Sequence, residues 1–396
     1  MTKYIIIIPD GAADHGLEQF GGKTALEAAE KPNMDKISQS GRQGLVQTVP
    51  EGIEPGSDVA IMSLFGYDPQ KYYCGRAPIE AVAQDIEMSD SDWVFRCNFV
   101  TVPDGKMADH SAGHISNKEG HRLIEIINEH LGSDKIRFYP GVSYRNLMVV
   151  KDMDFEVRTF PPHDYIGQAI DKILPRGKGA DFLIELMAKA SQLFANNEIN
   201  QVRKDLGENP ADSIWLWGQG QKAKLESFEK KFRLRGAAIT AVDLVRGLSK
   251  MAGFDVIDVP GVTGYIDTNY QGKAAAAIDA LKKYDIVFVH IEAPDEASHQ
   301  GNAEMKKKAI ELIDKYVVGP VYEAISKYDS WRILVSPDHY TTISTCAHST
   351  EAVPFAIAGT GIEGLLHLSF SETNAAQSAF LINQGSDLME FFLTVK

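Results

Sequence analysis

The chain has 396 residues, 44% of them hydrophobic and 24% charged, so it is neither fibrous nor disordered, and at roughly 150 residues per domain it has room for two or three. Forty Lys and Arg against 54 Asp and Glu leave a formal charge of −14. That field repels nucleic-acid backbones and anionic membrane surfaces, while a small anionic substrate is admitted where a local cation reverses it.

The N-terminal run at residues 4–8 is short, β-branched and without polar alternation, which predicts a central strand covered on both faces. It is far shorter than a signal-peptide core, and nowhere do about 18 apolar residues run together, so the expectation is a cytoplasmic chain with no membrane partner. Ser57 follows a Pro-Gly turn and opens an apolar helical stretch, where a hydroxyl either caps the helix or faces an anion held at its N-terminus. From about residue 73 to 209 the predicted strands (94–102, 147–151, 156–160) are shorter and more polar, with amphipathic helices at 117–131 and 179–196. This segment reads as an inserted α+β domain. The apolar strand at 214–217 is expected to resume the first domain. Runs at 285–290, 332–336 and 353–358 then alternate with helical patterns at 272–283 and 303–328, the signature of βαβ units and a mostly parallel sheet. The run Lys306-Lys307-Lys308 is expected to be a solvated helix face. Gly359 to Gly364 match G-x-G-x-x-G, but so few residues follow that a simple turn is expected there. Cys74, Cys97 and Cys346 show no C-x-x-C spacing, so neither a disulfide framework nor a thiolate zinc site is written and a reducing compartment is expected.

Ligands in open α/β sheets gather at the carboxyl ends of the strands. Asp10 follows the first strand, Asp295 and His299 follow the strand at 285–290, Asp338 and His339 follow that at 332–336, and His348 precedes the last. Asp295 and His299, four apart, share one face of a helical turn. Carboxylate mixed with imidazole suits manganese, zinc or iron better than calcium or magnesium. Six such ligands exceed the need of one tetrahedral ion and suggest two, an arrangement able to clamp the attacking and leaving oxygens of a displacement at phosphorus. Coordination would also make the Ser57 hydroxyl a nucleophile.

These residues resemble a known family. Asp10 in I-P-D-G, G-S-D-V-A-x-x-S-L-x-G-Y-D-P at 56–69, D-E-A-S-H at 295–299, P-D-H at 337–339 and H-S-T-E-A-V-P-F at 348–355 look like the archaeal type of cofactor-independent phosphoglycerate mutase, of the alkaline phosphatase superfamily. The resemblance implies an α/β fold of doubly wound, mostly parallel sheet, made of residues 1–72 and 211–396, with an α+β substrate domain at 73–210 and the substrate between them. It implies that Asp10, Ser57, Asp338 and His339 hold one divalent ion and Asp295, His299 and His348 the other, with manganese or zinc more plausible than magnesium alone and no 2,3-bisphosphoglycerate required. Ser57 would take the phosphoryl group and return it to the other hydroxyl of bound glycerate. Arg76, Asn98, Asp109, His114, Arg145, His163, Asp164 and Arg235 are the matching candidates for gripping a small phosphorylated anion. His114 stands where the family pattern leads one to expect Arg, which weakens a fixed cationic fork. A subgroup of mutase-like proteins proposed to act as homoserine kinases is therefore the alternative, although no Walker A loop is present. A two-domain protein that merely binds an anion or metal is the third reading.

Overall fold

The computed structural model describes residues 2–395, which divide into two compact units, one of residues 2–73 and 225–395 and one of residues 74–224. In the first, an eight-stranded sheet runs Asp255–Val256, Gly236–Ile239, Ile286–Ile291, Lys3–Pro9, Trp331–Val335, Val353–Gly359, Arg42–Val46, Leu381–Ile382. Its first five strands are parallel, whereas Val353–Gly359 lies antiparallel to both neighbours. The apolar run has the expected central place: Ile5 to Ile8 are at most 1% exposed. Ile5 and Ile7 face one core with the helix Tyr270–Ala280 and the chain from Ala303 to Ile325. On the other face Phe65, Phe228 and Phe254 ring Phe288, with centroids 4.6 to 6.0 Å away. Burying each such side chain contributes about 1.5–3 kcal/mol.

The expected single helix at 303–328 is broken. Ala303–Ile313 passes into a π-helical turn, Asp314–Val318, before Gly319–Ile325. The widened turn aims the Asp314 carboxylate at the start of the helix Pro32–Ser40, where it accepts from Met34 N at 2.7 Å and Asn33 N at 3.2 Å. These are amide donors that the N-cap, Lys31, leaves unserved.

In the second unit the antiparallel strands Ile136–Val142, Arg145–Val150, Trp93–Val100 and Ser213–Gln221 form a sheet packed by the helices Asn117–Leu131 and Ala180–Phe194. The strand expected to resume the first unit is thus corrected: Ser213–Gln221 pairs with Trp93–Val100, and Trp215 and Trp217 are buried in the second unit's core. Burial of these indoles against Phe95, Phe99 and Phe155 decides the strand's place, and the 73–210 boundary moves to 74–224. Among the described residues no helix is long and apolar enough to cross a membrane.

Candidate metal centre

Register sets the site. Ile8 lies opposite His290 and Ile7 opposite Val335, so three adjacent parallel strands end within two residues of one another and the segments that follow them open on one edge. Asp10 continues the first strand, its N–H donating to Ile291 O. Its Oδ2 accepts from His290 Nε2 at 2.8 Å and from Ser57 Oγ at 3.4 Å, whereas Oδ1 has no partner. Asp338 is similar: Oδ1 accepts from Gly11 N and His339 N, and Oδ2 is buried without a partner. His339 Nε2 lies 3.1 Å from Ser57 Oγ, 3.4 Å from Asp338 Oδ2 and 3.5 Å from Asp10 Oδ1. Burial, then Asp338 and Asp295, push the Asp10 carboxyl well above the usual carboxylate range. Two orphaned carboxylate oxygens and a bare imidazole edge around one point are what a divalent cation fits.

Ser57 is the first residue of the helix Ser57–Leu64, whose N-cap is Gly56, and no side chain caps it. The hydroxyl is therefore not spent on the helix and faces Asp10 and His339.

A second cluster adjoins. Asp295 Oδ2 lies 3.1 Å from His299 Nε2, Asp295 Oδ1 3.4 Å from His348 Nε2, and the two Nε2 atoms are 3.0 Å apart. Each ring donates its Nδ1–H to a carbonyl, His299 to Cys346 O at 2.9 Å and His348 to Pro55 O at 3.3 Å. With Nδ1 so held, the Nε2 atoms turn inward, as those of ligand histidines do. In the ion-free chain the Asp295 bond raises the His299 imidazole to about 9. The rings of His339 and His348 are 4.2 Å apart, so the clusters share a wall.

Several residues around the centre were not singled out by sequence. His290, buried and held down to about 3 by desolvation, is neutral, so its single N–H donates to Asp10 while Nδ1 accepts from Thr240 Oγ1 at 3.2 Å. Lys273 donates to His290 O at 2.8 Å, and Glu292 forms with Asp10 and Asp295 a further set of carboxylates within 4.8 Å. Burial is the main cause that brings both Lys273 and Glu292 to about 8. A histidine closing an otherwise apolar strand was the available signal for His290.

The gripping candidates divide. In the second unit His114 and Tyr144, Tyr144 and His110, His110 and His163, and His163 and Trp217 are successive ring neighbours at 6.2, 5.6, 6.0 and 5.3 Å, and the Arg96 guanidinium lies 4.4 Å over Trp217. Arg145 borders the row over Tyr144, Asn98 accepts from Trp217 Nε1, and Asp164 sits beside His163. Arg76 opens the helix Arg76–Ala83 and bears electrostatically on His163. His110, Tyr144 and Arg96 were not foreseen.

Asp109 is a correction. Its carboxylate accepts from Ser111 N, Ser111 Oγ, Gly113 N and Asn209 Nδ2, four bonds that organise its own loop and, against partial desolvation, lower it to about 2. Arg235 is another: it precedes Gly236–Ile239 and its N–H donates to Asp285 Oδ2, which puts it at the amino edge of the parallel strands, opposite Asp10. Lys306 is a third, being fully buried with Nζ on Asp14 Oδ2 at 2.8 Å, whereas Lys308 is solvated.

The family description 2,3-bisphosphoglycerate-independent phosphoglycerate mutase matches residues 38–200. A relative of that name from Methanothrix thermoacetophila is 48% identical over 99% of each chain, and one named as a probable mutase of the same kind from Geobacter sulfurreducens is 48% identical over 99% of each. Among solved structures, a Pyrococcus horikoshii protein superposes with a TM-score of 0.85 at 29% identity, covering 99% of this chain and 96% of that one. The cofactor-independent phosphoglycerate mutase of Thermoplasma acidophilum gives 0.69 at 27% identity over 99% of both. With identity near one half sustained from end to end, the chain belongs to the 2,3-bisphosphoglycerate-independent phosphoglycerate mutases.

Proposed function

We infer that the protein interconverts 2- and 3-phosphoglycerate, needs no bisphosphoglycerate, and carries the phosphoryl group on Ser57. The observation that carries the reading is an uncapped Ser57 hydroxyl 3.1 Å from His339 Nε2 and 3.4 Å from Asp10 Oδ2, at a point two orphaned carboxylate oxygens surround. Asp10, Ser57, Asp338 and His339 would hold one divalent ion, and Asp295, His299 and His348 the other; the mixed donors suit manganese or zinc. When bound, such ions lower the pKa of a coordinated hydroxyl and neutralise charge on the phosphoryl oxygens.

The chain's own residues supply the rest. Ser57 Oγ bonds to phosphorus as the bond from phosphorus to one glycerate oxygen breaks, and the serine proton ends on that oxygen. The other glycerate hydroxyl then attacks the phosphoserine and its proton returns to Ser57, so atoms and charge balance over the cycle. His290 keeps Asp10 Oδ2 in place. Arg76 and Arg145 are proposed to hold the carboxylate of the substrate, for which a guanidinium fork is suited. The relatives' mutase names weigh against the homoserine kinase alternative.

Purified protein with manganese, assayed in parallel for phosphoglycerate interconversion and for ATP-dependent homoserine phosphorylation, separates the two. Ser57→Ala is expected to abolish turnover and the acid-stable phosphoserine that labelled phosphoglycerate leaves on the wild type. Near wild-type turnover in that variant would remove Ser57 from the reaction.

A further inference from the structure

Both ion clusters are tied to one small hairpin. His339 leads into the strand Tyr340–Thr342, which pairs antiparallel with Ala347–Ser349 so that Thr341 lies directly opposite His348. The fully buried Thr341 hydroxyl touches one ligand of each cluster: Asp295 Oδ1 at 2.5 Å and His339 Nδ1 at 3.1 Å. Space around this pair is closed, since a Cβ on Gly11 would lie 2.5 Å from Asp295 Oδ1 and 2.6 Å from Thr341 Oγ1. Lys306 Nζ donates to Thr341 O at 2.8 Å and pins the backbone.

A hydroxyl has one proton, and an ionised carboxylate only accepts. The 2.5 Å contact is a short charge-assisted bond in which Thr341 donates to Asp295. Its oxygen must then accept from His339, so Nδ1 carries the imidazole's single proton. Nε2 is left bare, and Nε2 is the atom that faces Ser57 Oγ, Asp338 Oδ2 and Asp10 Oδ1. The other two ligand histidines are oriented by carbonyls, which accept only. His339 is oriented at Nδ1 by a group that can turn either way, and Asp295 sets that group's direction.

We propose that Thr341 is a positioning residue that locks the Nδ1–H tautomer of His339 and, through its bond to Asp295, couples the two ion sites. An ion at Asp295 changes the charge on the oxygen to which the hydroxyl donates, and the hydroxyl passes that change to His339; by linkage the effect is reciprocal. The coupling rests on the two-ion reading above, whereas the tautomer does not.

The test uses full-length protein with labelled histidine. Two-bond nitrogen–proton correlation spectra of the ion-free wild type are expected to show His339 protonated at Nδ1 alone. Thr341→Val, which keeps the shape and removes the hydroxyl, is expected to lose that signature and to weaken manganese at the Asp10, Asp338 and His339 site by about 10–100-fold. Thr341→Ser should restore both. An Nε2–H wild type, or a folded Thr341→Val with unchanged tautomer and manganese affinity, overturns the proposal. So does a folded Thr341→Ser that restores neither. Fewer than two manganese ions on the wild type overturns the two-ion reading and the coupling, while the ion-free spectrum still decides the tautomer.

Discussion

At the scale of single residues, the centre is a set of charges waiting for an opposite charge, and its proton content follows from that. His299 in the ion-free chain is raised from 6.5 to about 9 by its bond to Asp295. The sign follows: a base with a raised folded pKa contributes stability to the ion-free protein that is fully present below about 6.5 and lost as pH rises through about 9. An ion at that cluster displaces this proton, so its apparent affinity should climb about tenfold per pH unit between 6.5 and 9. Manganese titrated at pH 7.5 in two buffers of different protonation enthalpy should release close to one proton more from the wild type than from His299→Asn. Equal release from the two would show that His299 is already neutral. Asp10, Asp295, His299, Asp338 and His339 were legible in the sequence because they follow apolar strands, and His348 because it leads into one. Asp109 and Arg235 misled because residue type alone does not say whether a carboxylate is already spent on neighbouring amides, or at which edge of a sheet an arginine stands.

Elements carry their own lesson in the helix Ala303–Ile313, where three successive lysines read as solvated. Ala303, Lys306, Ala309, Ile310 and Ile313 form its buried stripe, so the three-and-four spacing placed Lys306 among core positions although its charge suggested otherwise. Its ammonium is satisfied by Asp14 Oδ2, Ala13 O and Thr341 O at 2.8 to 3.1 Å. Lys306→Met should lower unfolding free energy by about 3–5 kcal/mol in urea, because Asp14 is left buried and uncompensated, and adding Asp14→Asn should recover much of it. Lys308→Met should stay within about 0.5 kcal/mol. A Lys306→Met chain as stable as wild type would mean that Asp14 finds another counter-charge. The strand Ser213–Gln221 shows the complementary limit: an apolar run announces a strand, but partner choice depends on side chains more than a hundred residues away, such as Phe95 and Phe99.

Taken whole, the molecule splits its material unevenly. Every proposed ion ligand belongs to the unit of residues 2–73 and 225–395, while residues 74–224 are one continuous stretch with a separate sheet and core. Expressed alone, residues 74–224 should fold and melt in a single cooperative transition, since a stretch of this size buries enough surface to stand by itself. A non-cooperative melt, or exchange of the sheet amides as fast as in an unfolded chain, would refute this. The two ends of that stretch run side by side: a Cβ on Gly220 would collide with Cys74 O, and one on Gly75 with Gln219 O. To the rest of the chain, the folded excursion is therefore topologically a hairpin turn, and its length adds little closure entropy. Such an excursion can be lengthened, trimmed or exchanged in one genetic event without moving any of the proposed ion ligands.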